Sequence, residues 1–294
     1  MRRLYGSSEY LFHLAVSPDN RTFAIGNSIF DLLTNNPVRQ LTNVAVSSGS
    51  TDIGEPAYPA FSPDGKTIAF GDFSQCSGVR LWNLQFGLYT GFPDKRNKKF
   101  TPFKESFLHR IPCFSLDGRL LACIAGGGIK NRNGYIDSTW RTGNRVQIWI
   151  AKTGKLLRVL PKANCTAFAF SPDVKRVAVT SFSPSISVYD VTTGSLNWTY
   201  NITHQTNYNP STSTSATGII FSPNGQSLAA QDELGRVTIL DKDGRLIRTF
   251  ASPKPGSKYG SEGVSPILSF SQDGKKLMSR FGDYIYLWNT DDWN

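Results

Sequence analysis

Basic and aromatic side chains are concentrated in two stretches of the chain, residues 91–110 and 126–145. The first stretch holds six basic and two acidic residues, and the second holds four basic residues and one acidic residue. Together they carry +7 of the net charge of +10. A concentration of positive charge attracts acidic partners and speeds their encounter, and exposed aromatic and arginine side chains dominate binding hot spots. The composition therefore predicts a surface that binds an acidic molecule.

The candidate partner-binding residues within these stretches are Lys95, Arg96, Lys98, Lys99, Phe100, Lys104, Arg132, Tyr135, Trp140 and Arg141. A second interpretation is that the two stretches pack on each other, with the aromatic side chains turned inward and the lysines solvated. Long connections without regular structure are uncommon unless they are functional or disordered. Both interpretations stay open on the sequence alone.

Residues that could carry catalysis are scattered along the chain. The histidines are His13, His109 and His204, and no Ser-His-Asp arrangement or metal-ligand cluster can be picked out. The glycines at 126–128 are not followed by the Gly-Lys-Ser/Thr of a phosphate-binding loop. The four cysteines form no C-x-x-C pair and are interpreted as reduced, mostly buried thiols. The sequence predicts a protein that is not an enzyme and that holds no metal or cofactor.

The elements that must position the basic stretches are visible as an internal repeat. A segment close to Phe-Ser-Pro-Asp-Gly occurs six times, at intervals of 45 to 56 residues, with its serine at Ser17, Ser62, Ser115, Ser171, Ser222 and Ser271. Serine, proline, aspartate and glycine in this order suit a type I turn followed by a residue with positive φ. Short apolar runs flank each copy, so each copy predicts a β-hairpin.

Two further columns extend each repeat. A small residue recurs in the strand after the turn, at Ala24, Ala69, Ala122, Ala178 and Ala229, with Met278 in the sixth copy. A third strand follows that ends in a large apolar residue, as in Leu81-Trp82 and Val188-Tyr189, and a second turn then leads to a fourth strand. Four strands in each repeat are the content of one propeller blade.

On these residues the chain resembles the WD40 repeat family over essentially its whole length. The resemblance implies an all-β fold with one domain over residues 1–294, a six-bladed β-propeller whose blades are four-stranded antiparallel sheets. The family's Gly-His dipeptide is missing from every repeat. The hydrogen-bond network that the family builds around that histidine is therefore expected to be absent, and stacking of apolar sheet faces must hold the ring.

The ends of the chain predict how this ring closes. The last repeat has residues for three strands only, and the segment 2–5 precedes the first inner strand, Leu11 to Val16, by one loop length. We expect this N-terminal segment to supply the missing outer strand of the last blade.

The resemblance and the charge pattern together favour a non-catalytic scaffold that binds another protein through its elaborated loops, with an acidic segment as the candidate partner surface. Binding of nucleic acid or an anionic lipid surface is the alternative, permitted by the pI near 9.5, although the Phe-Arg-Arg-Gly signature of phosphoinositide-binding propellers is missing. A propeller hydrolase is less favoured. No apolar run approaches the roughly 20 residues of a membrane helix and no secretion signal stands out, so we expect a cytoplasmic protein, a monomer by default.

Overall fold

The computed structural model describes thirteen ranges of the chain. They are residues 14–25, 28–41, 58–71, 79–86, 88–90, 108–126, 144–162, 164–183, 185–202, 216–232, 234–251, 267–281 and 284–293. By the contacts between Cα atoms the chain divides into two compact units, Met1–Val159 and Leu160–Asn294.

The first unit contains three antiparallel sheets of four strands each. Sheet 1 consists of β1 (Leu14–Val16), β2 (Thr22–Ile25), β3 (Ser28–Asp31) and β4 (Pro37–Gln40). Sheet 2 consists of β5 (Tyr58–Phe61), β6 (Thr67–Gly71), β7 (Arg80–Asn83) and β8 (Leu88–Thr90). Sheet 3 consists of β9 (Leu108–Phe114), β10 (Leu120–Gly126), β11 (Arg145–Ile150) and β12 (Lys155–Val159). Within each sheet the strands are neighbours in chain order, and β1, β5 and β9 contact one another in succession.

The second unit repeats this plan. Sheet 4 consists of β13 (Cys165–Phe170), β14 (Arg176–Ser181), β15 (Ser185–Asp190) and β16 (Leu196–Asn201). Sheet 5 consists of β17 (Ala216–Phe221), β18 (Ser227–Asp232), β19 (Val237–Asp241) and β20 (Leu246–Phe250). Sheet 6 consists of β21 (Ile267–Phe270), β22 (Lys276–Phe281) and β23 (Tyr284–Asn289), and a single 3₁₀ turn, Thr290–Trp293, follows it. The described ranges contain no helix that could cross a membrane.

The six repeated segments form the turns between the first and second strands of the six sheets. In the second turn the Ser62 hydroxyl donates to Asp64 Oδ1 at 2.6 Å and accepts from the backbone N–H of Thr67 at 2.9 Å. Asp64 Oδ1 also accepts from the backbone N–H of Lys66 at 3.0 Å, and Gly65 has φ +67°. The same three hydrogen bonds recur in the other five turns, with Asn224 replacing aspartate in the fifth. The hairpin prediction is confirmed.

The core of each unit lies between consecutive sheets. In the first unit, Ile29 and Leu41 of sheet 1 pack with Ile68 and Trp82 of sheet 2, and a second cluster joins sheets 2 and 3 around Trp149. Corresponding clusters join sheets 4 and 5 and sheets 5 and 6. Full burial of each such apolar side chain contributes about 1.5–3 kcal/mol.

Four of the recurring alanines, Ala24, Ala69, Ala178 and Ala229, belong to these clusters between sheets. All five alanines of the column are fully buried on the second strands of their sheets. A larger side chain there would force the neighbouring sheet away from a closely packed core. The repeat therefore keeps this position small, as the sequence pattern indicated, and Met278 is partly exposed in the sixth sheet.

The structure confirms the all-β prediction and the succession of antiparallel four-stranded sheets. Sheet 6 has three described strands, and the segment 2–5 that is expected to complete it lies outside the described residues. The closed six-bladed ring and the single domain over 1–294 remain predictions.

Candidate functional site

The ten candidate partner-binding residues lie in two segments, 91–107 and 127–143, that are outside the described residues. They are Lys95, Arg96, Lys98, Lys99, Phe100, Lys104, Arg132, Tyr135, Trp140 and Arg141. The structure does describe the strands from which both segments extend. The ends of these strands therefore define where the two segments are attached to the fold.

Both segments are attached to the same end of sheet 3. The first segment ends at Leu108, where β9 begins, and the second begins after Gly126, where β10 ends. Leu108 and Gly126 are direct partners in the antiparallel register, and the next pairs join Ala125 to His109 and to Arg145, the first residue of β11. Neighbouring strands are about 4.8 Å apart, so the three attachment points lie within about 10 Å of one another.

The strands under this end of sheet 3 form a rigid base. Cys123 of β10 is fully buried, as are Val146 and Ile148 of β11. At the start of β11 the exposed Arg145 is followed by the buried Val146, the partly buried Gln147 and the buried Ile148. Side chains of successive residues leave a strand on opposite faces. The face with Val146 and Ile148 therefore packs in the core, while Arg145 stays exposed.

No protein-family model matches this chain, and no curated protein sequence matches it either.

The opposite end of sheet 3 is occupied by the turn between β9 and β10. The Ser115 hydroxyl donates to Asp117 Oδ1 at 2.6 Å and accepts from the backbone N–H of Leu120 at 2.9 Å. Burial raises the pKa of Asp117, but hydrogen bonds from Ser115 and from the backbone of Arg119 outweigh it and hold the pKa below its ordinary value. The turn serine is thus fully used by the turn, in agreement with its interpretation as a turn former.

One serine and lysine pair in the second unit has the residue types of a nucleophile and a base. Lys162 Nζ donates to Ser185 Oγ at 2.7 Å, and the Ser181 and Ser183 hydroxyls are 2.9 Å apart beside them. Serine and lysine do act together in some hydrolases. Ser185 is, however, only 5% exposed, so its hydroxyl has no open approach for a substrate. The pair connects the segment before β13 to the start of β15, and the sequence pattern gave no signal for it.

A second polar pair that the sequence did not single out closes the connection between β18 and β19. Asp232 Oδ1 accepts from the backbone N–H groups of Leu234 and Arg236 at 2.9 Å, and Asp232 Oδ2 accepts from Arg236 Nε at 2.7 Å. Gly235 takes φ +78° between them. The spacing Asp232 to Gly235 to Arg236 is the signal that could have predicted this short connection.

Two of the three free cysteines in the described ranges, Cys113 and Cys123, are poor nucleophiles. Burial raises the pKa of Cys113 to about 11 and raises the pKa of Cys123 well above its ordinary value. The thiolate is the reactive form of cysteine, so neither thiol is activated. Within the described ranges no group of three histidine, cysteine, aspartate or glutamate side chains is placed to hold a metal ion.

Proposed function

We propose that this chain is a non-catalytic scaffold that binds an acidic surface of another protein through residues 91–107 and 127–143. The observation that supports this proposal best is the pairing of Leu108 with Gly126 and of Ala125 with Arg145. It attaches the two most basic segments of the chain to adjacent strands at one end of one sheet.

The distance between the attachment points explains why the two segments would act together. Electrostatic interactions in physiological salt extend over a Debye length of about 8 Å. Leu108 and Gly126, from which the two segments extend, are paired on adjacent strands, which lie about 4.8 Å apart. A partner that meets one segment therefore experiences the charge of both. The excess positive charge of the two stretches is +7, of which Arg110 and Arg145 stand on the described strands β9 and β11.

We also propose that the six sheets close into a WD40-like propeller, with residues 2–5 as the fourth strand of sheet 6. Exposure within each unit supports this proposal. Ile285 and Leu287 of β23 are 65% and 67% exposed, whereas the residues at the same register of β19, Val237 and Ile239, are fully buried. An exposed apolar face of this kind is typical of a surface that another element covers.

The first sheet shows the complementary feature. Leu14 and Val16 of β1 are 50% and 42% exposed, whereas Ile219 and Phe221, at the same register of β17, are 9% and 5% exposed. Ring closure would bury both apolar faces. Their stacking would supply the stabilisation that a Gly-His hydrogen-bond network provides in the WD40 family.

Binding is tested by fluorescence anisotropy with a fluorescein-labelled decaglutamate peptide. The test variant combines Lys95→Glu, Arg96→Glu, Lys98→Glu and Lys99→Glu. Reversal of four charges at the site should weaken binding at least about tenfold and reduce its salt dependence, because the attraction is largely electrostatic.

The matched control reverses four exposed lysines on turns between strands, with the same change in net charge: Lys66→Glu, Lys152→Glu, Lys175→Glu and Lys275→Glu. The control should keep the affinity of the native chain within about threefold. Equal losses in both variants would show that net charge alone governs binding and would refute the site. Tighter binding of single-stranded DNA or of phosphatidylserine vesicles than of the peptide would favour a nucleic acid or an anionic lipid surface as the partner instead of a protein.

A further inference from the structure

In consecutive turns within each unit, the proline ring of one turn faces the glycine of the next. A Cβ built on Gly65 would lie 3.8 Å from Pro18 Cδ, and one built on Gly118 would lie 3.5 Å from Pro63 Cδ. In the second unit the corresponding distances are 3.6 Å from Gly225 to Pro172 Cδ and 3.6 Å from Gly274 to Pro223 Cδ. In every case a Cβ on the glycine of one turn would lie in ordinary van der Waals contact with the proline ring of the turn before it.

The two residues occur together in the sequence. The turns of repeats 1, 2, 4 and 5 contain proline, and the turns of repeats 2, 3, 5 and 6 contain glycine, so each proline has its glycine one repeat later. The third repeat has Leu116 in place of proline and the fourth has Val174 in place of glycine. The sixth repeat likewise has Gln272, and the first has Asn20. Proline and glycine are thus kept as a pair or lost as a pair.

The fourth turn does not change its conformation to suit its valine. Val174 has φ +59°, and the turn keeps the hydrogen bond from the Ser171 hydroxyl to Asp173 at 2.6 Å. A β-branched residue in this region of φ is strained. Leu116, at the proline position of the third turn, is 68% exposed. Strain and an exposed apolar side chain therefore stand where the pair is missing.

Further contacts between consecutive sheets support the coupling inside each unit. In the first unit Arg39 of β4 donates to the carbonyl of Leu84, just after β7, at 2.7 Å. In the second unit Arg176 of β14 donates to the carbonyl of Gly225 at 3.1 Å and to that of Lys242 at 3.0 Å. The turn ends of neighbouring sheets in the same unit are consequently held by polar as well as apolar contacts.

The division of the chain follows the same pattern. The two compact units are Met1–Val159 and Leu160–Asn294, so the third repeat ends the first unit and the fourth begins the second. We propose that the packing of proline against the next turn couples consecutive sheets, and that sheets 1–3 (residues 14–159) and sheets 4–6 unfold as two separate cooperative units. Residues 2–5, which complete sheet 6 in the proposed ring, would unfold with sheets 4–6. This inference does not depend on the proposed partner binding.

The test is hydrogen exchange of the full chain in increasing urea, read by mass spectrometry of peptides from each sheet. Cooperative units appear as groups of amides that share one urea dependence. Gly118→Val should lower the protection of β1–β12 about tenfold or more and leave β13–β23 unchanged. Gly225→Val should do the reverse. A Cβ at Gly118 would make only an ordinary contact with Pro63, so the loss comes from backbone strain and from crowding of Pro63 by the valine methyl groups.

Val174→Gly is the variant that is expected to fold best, because it relieves strain without adding atoms. It should raise the protection of β13–β23 alone, by about fivefold or more. An equal change in all six sheets, for any of these variants, would show one cooperative unit and overturn the proposal.

A double-variant cycle separates the contact from backbone strain, because strain at Gly118 is the same whether or not the proline is present. Gly118→Val should lower protection at least about threefold less in a Pro63→Ala background than in the native chain. An equal loss in both backgrounds would show that the proline ring plays no part and would refute the coupling contact.

Discussion

Gly244 offers a sharp test of the packing between sheets 4 and 5. It lies in the turn between β19 and β20 with φ +84°, and a Cβ built on it would lie 2.6 Å from Cδ2 and Cε3 of Trp198. Real Cβ atoms do not approach a ring so closely, so Gly244→Ala must displace the indole by about 1 Å. The hydrogen bond from Trp198 Nε1 to the carbonyl of Lys242, 3.1 Å long, would be strained or lost.

The matched control is Gly274→Ala in the same unit. Gly274 also has a left-handed backbone, with φ +71°, but its Cβ would meet only Pro223 at an ordinary contact distance of 3.6 Å. The control should cost about 1–2 kcal/mol of unfolding free energy from backbone strain alone. Gly244→Ala should cost about 3–6 kcal/mol, since overpacking adds about 1–3 kcal/mol and the weakened hydrogen bond about 1 kcal/mol to the backbone strain.

The assay is equilibrium urea unfolding followed by tryptophan fluorescence and far-ultraviolet circular dichroism. Both substitutions lie in the second unit, so the same transition is compared in each. In a Trp198→Leu background the cost of Gly244→Ala should fall to about that of the control, because the clash is removed. Equal costs for Gly244→Ala and Gly274→Ala in the native background would refute this description of the packing.

Three further predictions concern the turns, the thiols and the N-terminal segment. Hydrogen bonds from Ser62 and the Lys66 backbone lower the pKa of Asp64, so its contribution to stability is present above the ordinary value of 3.8 and is lost as the pH falls below it; Asp64→Asn should reduce the acid sensitivity seen in pH titrations of stability. In a Cys76→Ser background, the buried thiols of Cys123 and Cys165 should react with Ellman's reagent only on unfolding, and the thiol of Cys113, whose pKa is raised to about 11, should react slowly before it. Deletion of residues 1–8 should lower the melting temperature by several degrees, and an unchanged value would exclude an N-terminal strand in the ring.

Much of the fold could be predicted from the sequence because the turn chemistry is local. Serine, aspartate and glycine act within five residues of one another, as in the turn from Ser62 to Thr67, so their pattern survives in the primary structure. Val174 shows the limit of this logic: it adopts φ +59° although its residue type disfavours that conformation. The hydrogen bonds of the surrounding turn override the local preference.

The contacts between sheets could not be predicted in the same way. Arg39 reaches Leu84 across 45 residues, and Arg176 reaches Lys242 across 66 residues. Such pairs depend on the spacing and tilt of neighbouring sheets, which the repeat does not encode. In contrast, the attachment of both basic segments to one end of sheet 3 follows from the order of the strands, and that order could be predicted from the sequence.

The central claim is that residues 91–107 and 127–143 form one binding site, and a double-variant cycle with the decaglutamate peptide tests it most directly. The first variant replaces Lys98 and Lys99 with glutamate, the second replaces Arg132 and Arg141 with glutamate, and the third combines all four changes. A single site predicts that the combined loss of binding free energy differs from the sum of the separate losses by at least about 0.5 kcal/mol. Strict additivity, or a loss confined to one segment, would contradict the claim.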